Sequence, residues 1–163
     1  LTASGDRRAR LLRRSAEARW LAGFTDNAVA LLAEARESTA NPALLAETDE
    51  LTGHIAARCG PVMRGHAILT AAAGQADPER AIGMLAKAAL ACLYAGNPAE
   101  MAATADRISR ILPALPSRRA SFLASMTAGM AGIFGADAAA GAQAVRSAVT
   151  MARSLRSCET TCS

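Results

Sequence analysis

The chain is poor in aromatic residues: one tryptophan, one tyrosine and three phenylalanines make up only 3% of its 163 residues. Strands favour aromatic and β-branched side chains, so this scarcity argues against a β-rich fold. Alanine makes up about a quarter of the chain instead, and alanine has the highest helix propensity of any residue. The composition therefore predicts an all-α fold in which small side chains allow helices to pack closely.

Lysine is almost absent, because Lys87 is the only one and arginine supplies the remaining basic charge. The formal net charge of +4 is mild for a dedicated nucleic-acid binder. The one local concentration is a group in the first predicted helix: Arg7, Arg8, Arg10, Arg13 and Arg14. We interpret it as a solvated flank, with an i,i+4 ion pair between Arg13 and Glu17. The alternative is a free-standing scaffold that binds nucleic acid or an acidic partner there, with affinity that falls steeply as salt rises.

The motifs of the common enzyme classes are missing. The sequence contains no G-x-x-x-x-G-K-[ST] phosphate loop, no G-x-S-x-G nucleophile turn and no H-E-x-x-H zinc motif. His54 and His66 are the only histidines, and Glu47 and Glu50 lie at i,i+3 on a predicted helix. A hydrolase on this scaffold would need a polar pocket around His54 or Glu50. We expect packing and surface roles for these residues, and therefore no enzyme activity, no cofactor and no metal site.

The four cysteines form no C-x-x-C pair. Cys59 and Cys92 lie in alanine-rich helical segments, where cysteine behaves as a small hydrophobe. This usage predicts reduced thiols and a cytoplasmic location, and the sequence shows neither a signal peptide nor a run suited to a membrane. Cys158 and Cys162 lie one helical turn apart near the end of the chain, where a metal or disulfide role stays open.

A recurring spacing divides the chain into four similar segments. Each segment contains a set of four positions that begins with a small residue. Glycine follows seven residues after it, the third position lies five residues after the glycine, and the fourth lies seven residues after the third. The sets are Ala16, Gly23, Ala28, Ala35; Gly53, Gly60, Gly65, Ala72; Ala89, Gly96, Met101, Ile108; and Ala128, Gly135, Ala140, Ser147. They begin 37, 36 and 39 residues apart, about the length of one helical hairpin. The spacing predicts a tetratricopeptide-like α-solenoid of about four antiparallel helix hairpins.

Helix-capping residues support this division. Three pairs place a capping side chain before a proline suited to the first helical turn: Asn41-Pro42, Asp77-Pro78 and Asn97-Pro98. Three glycines fit left-handed helix ends: Gly23, Gly60 and Gly96. The predicted helices span 7–22, 26–38, 42–59, 62–73, 78–95, 98–112, 117–134 and 138–155. They form hairpins near 7–38, 42–73, 78–112 and 117–155 in a single domain over 1–163, with a predicted hinge between Pro113 and Pro116.

Three glycines spaced three residues apart, Gly129, Gly132 and Gly135, predict a strip without side chains on the seventh helix. A phosphate-binding role would require the G-x-G-x-x-G pattern after a strand, and that pattern is absent. We therefore expect a neighbouring helix to approach closely along this strip.

The spacing resembles the tetratricopeptide repeat, which places small residues where paired helices touch. The chain also resembles, over residues 7–155, the middle region of large ATP-binding LuxR-type transcriptional regulators of actinobacteria. Two segments carry this resemblance: ARLLRRSAEARWLAGFTDNAVALLAEA and LTGHIAARCGPVMRGHAILTAAAGQADPERAIGMLAKAALACLYAGNPAEM. In that family an ATPase module lies upstream, a helical-repeat region senses inducers or partners, and a C-terminal helix-turn-helix binds DNA. The resemblance implies that this chain is a fragment of a longer regulator. It also implies a protein, peptide or small-molecule inducer as partner, with no direct binding of DNA or of a membrane.

In tetratricopeptide arrays the first helix of each hairpin lines a concave surface where ligands dock. The repeat phase predicts that surface residue by residue: Arg10, Arg13, Glu17 and Trp20 from the first hairpin; Glu47, Glu50, His54 and Arg58 from the second; Leu90, Leu93 and Tyr94 from the third. The predicted surface changes from polar in the first two hairpins to apolar in the third. Such a surface suits a peptide or a small amphipathic inducer. The alternative is an array surface that packs against flanking modules.

Overall fold

A computed structural model of the chain describes residues 3–135 and 137–160, with side chains described through residue 153 apart from position 136. The described residues form eight α-helices, one 3-10 helix and no strand. The helices are α1 (Ala3–Leu21), α2 (Thr25–Glu37), α3 (Pro42–Cys59), α4 (Val62–Ala73), α5 (Pro78–Ala95), α6 (Pro98–Ile111), α7 (Arg118–Phe134) and α8 (Ala138–Thr160). The 3-10 helix, Leu112–Ala114, fills the proline-bracketed break before α7. The predicted all-α helical-repeat fold is confirmed.

Two of the three predicted capping residues, Asn41 and Asn97, cap their helices, and α5 begins at Pro78 directly after the third, Asp77. The side chain of Asn41 accepts a hydrogen bond from the backbone N–H of Ala43 at 3.0 Å, and that of Asn97 accepts one from Glu100 at 3.1 Å. Each asparagine thereby satisfies a backbone donor that the helix itself cannot. Ser117 does the same for α7, because its hydroxyl accepts from the N–H of Ala120 at 3.2 Å.

The glycines at the helix ends do not all adopt one conformation. Gly23 and Gly96 have φ values of +88° and +65°, the left-handed region that favours glycine. Gly60 closes α3 with φ −145° and ψ −152°, so the prediction of a left-handed end is wrong there. Pro61 follows Gly60 directly and disfavours helical geometry in the residue before it, which explains the extended backbone.

The chain divides into two compact units, Leu1–Asp77 and Pro78–Ser163, each built from two helix hairpins. In the first unit α2 packs on α1 and α3, α1 also touches α3, and α3 pairs with α4. In the second unit α7 packs on α5, α6 and α8, and α5 pairs with α6. The proline break thus lies inside the second unit, and the boundary between units falls at Asp77. The single-domain organisation stays a prediction.

The repeat register is visible in what each hairpin buries. A buried residue on the first helix is followed by others twelve and nineteen positions later: Ala16, Ala28, Ala35; Gly53, Gly65, Ala72; Ala89, Met101, Ile108; Gly129, Gly141, Ala148. The predicted fourth set is wrong by one residue, because Ala128, Ala140 and Ser147 are exposed. The error arose from Gly135. In the other three hairpins the turn glycine lies seven residues after the buried residue of the first helix, whereas Gly135 lies only six residues after Gly129.

Glycines allow the paired helices to touch along their backbones. A Cβ atom added to Gly65 on α4 would lie 2.7 Å from both the Cα of Ala57 and the carbonyl oxygen of Gly53 on α3. One added to Gly132 on α7 would lie 2.8 Å from the Cα of Gly141 on α8. The side-chain-free strip predicted on the seventh helix therefore packs against α8, although Gly135 contacts only its own helix. Contacts this close leave no room for any side chain.

Candidate functional site

Two helix surfaces carry the residues predicted for binding, one in each unit. The first lies on α1 and α3, where side chains of opposite charge meet. Arg13 lies between two carboxylates, with its Nη1 3.6 Å from Glu17 Oε2 and its Nε 3.5 Å from Glu47 Oε2. The predicted i,i+4 pair on α1 is therefore present. The Arg13 Nε is buried and makes no hydrogen bond, so its contact with Glu47 is purely electrostatic.

The same surface joins the two helices through a pair of rings. Trp20 on α1 and His54 on α3 meet edge to face, with ring centroids 5.1 Å apart and an interplanar angle of 85°. Trp20 packs against a buried cluster of apolar residues: Ala16, Ala28, Leu32, Leu51 and Ile55. The ring pair thus connects the hydrophobic core of the first unit to its α1–α3 surface.

The structure therefore brings together five of the eight residues predicted from the first two hairpins: Arg13, Glu17, Trp20, Glu47 and His54. Glu50 lies half-buried on α3, whereas Arg10 and Arg58 are exposed. The five side chains form two separate contacts between α1 and α3, the Arg13–Glu17–Glu47 ion-pair group and the Trp20–His54 ring pair. This arrangement organises a polar surface and fixes α1 against α3.

The second surface is a groove between α5 and α7, the first helices of the third and fourth hairpins. We call it the α5–α7 groove, and its volume is about 260 Å³. From α5 it is lined by Gly83, Ala86, Lys87 and Leu90. From α7 it is lined by Arg119, Phe122, Leu123, Met126, Thr127 and Met130. Apolar side chains dominate its length; Arg119 lies in the first turn of α7, and Lys87 lies near the middle of α5.

The third-hairpin residues predicted for binding divide between two places. Leu90 lines the α5–α7 groove. Leu93 lines a separate cavity of about 250 Å³ beside Gly96 and Phe134. Tyr94 is 57% exposed at the end of α5. A continuous surface running through all three hairpins stays a prediction.

The predicted surface contained no residue of the fourth hairpin, whose predicted phase was off by one residue, so the α7 side of the groove was missed. Counted from the buried Gly129, Met126 and Met130 take the positions that Arg13 and Glu17 take relative to Ala16. The missing signal was Gly141, which lies twelve residues after Gly129, the interval seen across the other three hairpins.

Some arginines of α1 are engaged within the first unit. Arg8 forms an ion pair with Glu34 on α2, and Arg13 is held by Glu17 and Glu47. Arg7 and Arg14 are exposed. Nucleic-acid binding by this helix stays a prediction, with fewer uncommitted arginines than the sequence alone indicates.

The cysteines and histidines differ in their surroundings. Cys59 is exposed, whereas Cys92 is buried on α5. Burial raises the pKa of the Cys92 thiol to about 11, and the nearby Glu100 charge adds to the effect. His66 is buried on α4. Cys162 and the side chain of Cys158 lie outside the described residues, and the described part of the chain holds no group of three or more His, Cys, Asp or Glu residues placed to bind a metal.

None of the helices in the described ranges has the length and apolarity needed to cross a membrane. The chain matches no protein-family model, no curated protein and no solved structure.

Proposed function

We propose that this chain is a helical-repeat domain for protein interaction or inducer sensing within a LuxR-type transcriptional regulator, and that it works in the cytoplasm without enzymatic activity. The sequence resemblance over residues 7–155 supports the family. The repeated register of buried residues supports a tetratricopeptide-like array, an architecture suited to presenting binding surfaces.

The α5–α7 groove is the observation that carries the proposal. It is an apolar surface between two first helices, and at about 260 Å³ it falls just below the roughly 300–1,000 Å³ of typical small-molecule pockets. A groove of this size receives a few side chains from a partner more readily than it encloses a whole inducer. Protein interaction is therefore the favoured form of the function.

Selection from a random-peptide display library on the immobilised chain tests this function. We expect enriched peptides that bind wild type but not Leu90→Glu, because a carboxylate in the groove opposes apolar contact. Val149→Glu is the matched control, since Val149 is exposed on α8 outside the groove. Circular dichroism melting checks that both variants fold. Failure to enrich any peptide, or peptides that bind Leu90→Glu equally well, would contradict the proposal.

A further inference from the structure

The lining of the α5–α7 groove follows one face of α7 for three turns. Its α7 residues, from Arg119 to Met130, recur at intervals of three, four and seven. The eleven steps from Arg119 to Met130, at a rise of about 1.5 Å each, make the groove roughly 16 Å long. A partner helix of similar length presents side chains at the same intervals, so it can lie along the groove and place several anchors in it.

The walls of the groove are apolar and adaptable. Leu90, Phe122, Met126 and Met130 supply its hydrophobic surface, and methionine side chains readily fill irregular gaps. The Thr127 hydroxyl donates to the carbonyl of Leu123 at 2.8 Å, so this lining residue already has its hydrogen bond within α7. The groove therefore favours aliphatic or aromatic anchors.

Positive charge marks one end of the groove. Arg119 is exposed in the first turn of α7 and has no hydrogen-bond or ion-pair partner among the described residues. Its guanidinium reaches α5, with Nη2 4.0 Å from where a Cβ on Gly83 would stand. Lys87 adds a second cation to the lining. The nearby carboxylate of Glu79 accepts a hydrogen bond from the Ser117 hydroxyl at 2.7 Å.

We propose that the α5–α7 groove binds an amphipathic helix of a partner protein, with apolar side chains in the groove and an acidic side chain paired with Arg119. The inference rests on the proposed interaction function and specifies the partner's chemistry. Charge complementarity at Arg119 fixes the direction in which the partner helix lies, because Arg119 stands at one end of the groove.

The test uses a fluorescently labelled, lactam-locked helical peptide of about four turns. It carries leucines at i, i+3, i+4 and i+7 and one glutamate a turn beyond, at the end that meets Arg119. Fluorescence anisotropy measures its Kd for wild type and for Arg119→Glu. A second peptide carries lysine in place of glutamate. Arg118→Glu is the matched control, because it makes the same charge change at an exposed neighbour outside the groove lining.

We expect wild type and Arg118→Glu to prefer the glutamate peptide by about fivefold, the upper range for an exposed ion pair, and Arg119→Glu to prefer the lysine peptide. Added salt should reduce both preferences. Equal affinity of wild type for the two peptides, an unchanged preference in Arg119→Glu, or no binding of either peptide would overturn the inference. If wild type selects peptides of other composition and Leu90→Glu does not bind them, the proposed interaction function stands although this inference fails.

Discussion

The indole of Trp20 and the imidazole of His54 meet edge to face with centroids 5.1 Å apart, which joins α1 to α3 across the surface of the first unit. Trp20 is the only tryptophan, so tryptophan fluorescence reports on the surroundings of this one residue. His54→Ala should lower the free energy of unfolding by about 1 kcal/mol, in line with other aromatic pairs, and shift Trp20 emission to longer wavelength.

Urea unfolding and emission spectra measure these effects. Arg58→Ala is the control, because Arg58 is exposed one turn further along α3. Unchanged stability and emission in His54→Ala would show that the ring pair contributes nothing.

Close packing of α3 and α4 requires glycine at position 65. Gly65→Ala should lower the free energy of unfolding by about 1–3 kcal/mol, because the new methyl group meets the rigid backbone of Ala57 and Gly53. Gly83→Ala is the matched control inside α5, where an added Cβ would meet only the Arg119 guanidinium, at an ordinary van der Waals distance of 4.0 Å. That variant should gain about 0.5–1 kcal/mol from helix propensity. Thermal melts in which Gly65→Ala is more stable than Gly83→Ala would refute the close packing of α3 and α4 at Gly65.

The position of the helices was predictable because capping residues and turn glycines act locally. Asn41, Asn97 and the glycines after α1 and α5 fixed most boundaries to within a residue or two. The phase of the fourth hairpin was not predictable from Gly135, because a glycine that ends a helix need not occupy the same place in every repeat. Tertiary packing of Gly129 against α8 sets that phase, and local signals do not contain it.

The candidate site was predictable in part. The first-hairpin count put Arg13 and Trp20 on the face of α1 that contacts α3, because buried Ala16 is the register residue, whereas the role of that face in binding stays a prediction. The groove was not predicted, since its α7 side depends on the corrected phase. Ion pairing with Glu34 and Glu47 depends on distances between helices that sequence spacing does not give.

A hydrogen-bond network at the start of α1 should make the free energy of unfolding depend on pH in the acid range. The Thr39 hydroxyl donates to Asp6 Oδ1 at 2.5 Å and the Asn41 amide to Oδ2 at 3.2 Å. These bonds lower the pKa of Asp6 below its ordinary value of 3.8. The stabilisation is therefore complete above pH 3.8 and is lost as pH falls through the lower pKa of the folded state.

Asp6→Asn should remove this component of the pH dependence. Urea unfolding at a series of pH values from neutral to acid measures it, with Asp106→Asn, an exposed site on α6, as the control. An identical acid dependence in wild type and Asp6→Asn would contradict the role of the network.

Burial of Cys92 predicts the opposite pH dependence. The pKa of its thiol is about 11 in the folded chain against an ordinary value of 9.0. The unfolded state ionises first, so stability is complete below pH 9.0 and falls as pH rises toward about 11. Cys92→Ala should remove this fall in the free energy of unfolding between pH 9.0 and about 11.

Peptide mapping after iodoacetamide treatment of the native protein should find Cys59 alkylated and Cys92 protected, because only Cys59 is exposed. Equal labelling of both would contradict the burial of Cys92.

Backbone NMR of the isotopically labelled chain, titrated with a peptide selected on it, tests the central claim that the α5–α7 groove is the binding surface. We expect the largest amide shift changes at groove residues on both helices, including Leu90, Met126 and Met130, and no such changes in Leu90→Glu. Shift changes confined to the first unit, or absent from α5 and α7, would contradict the claim.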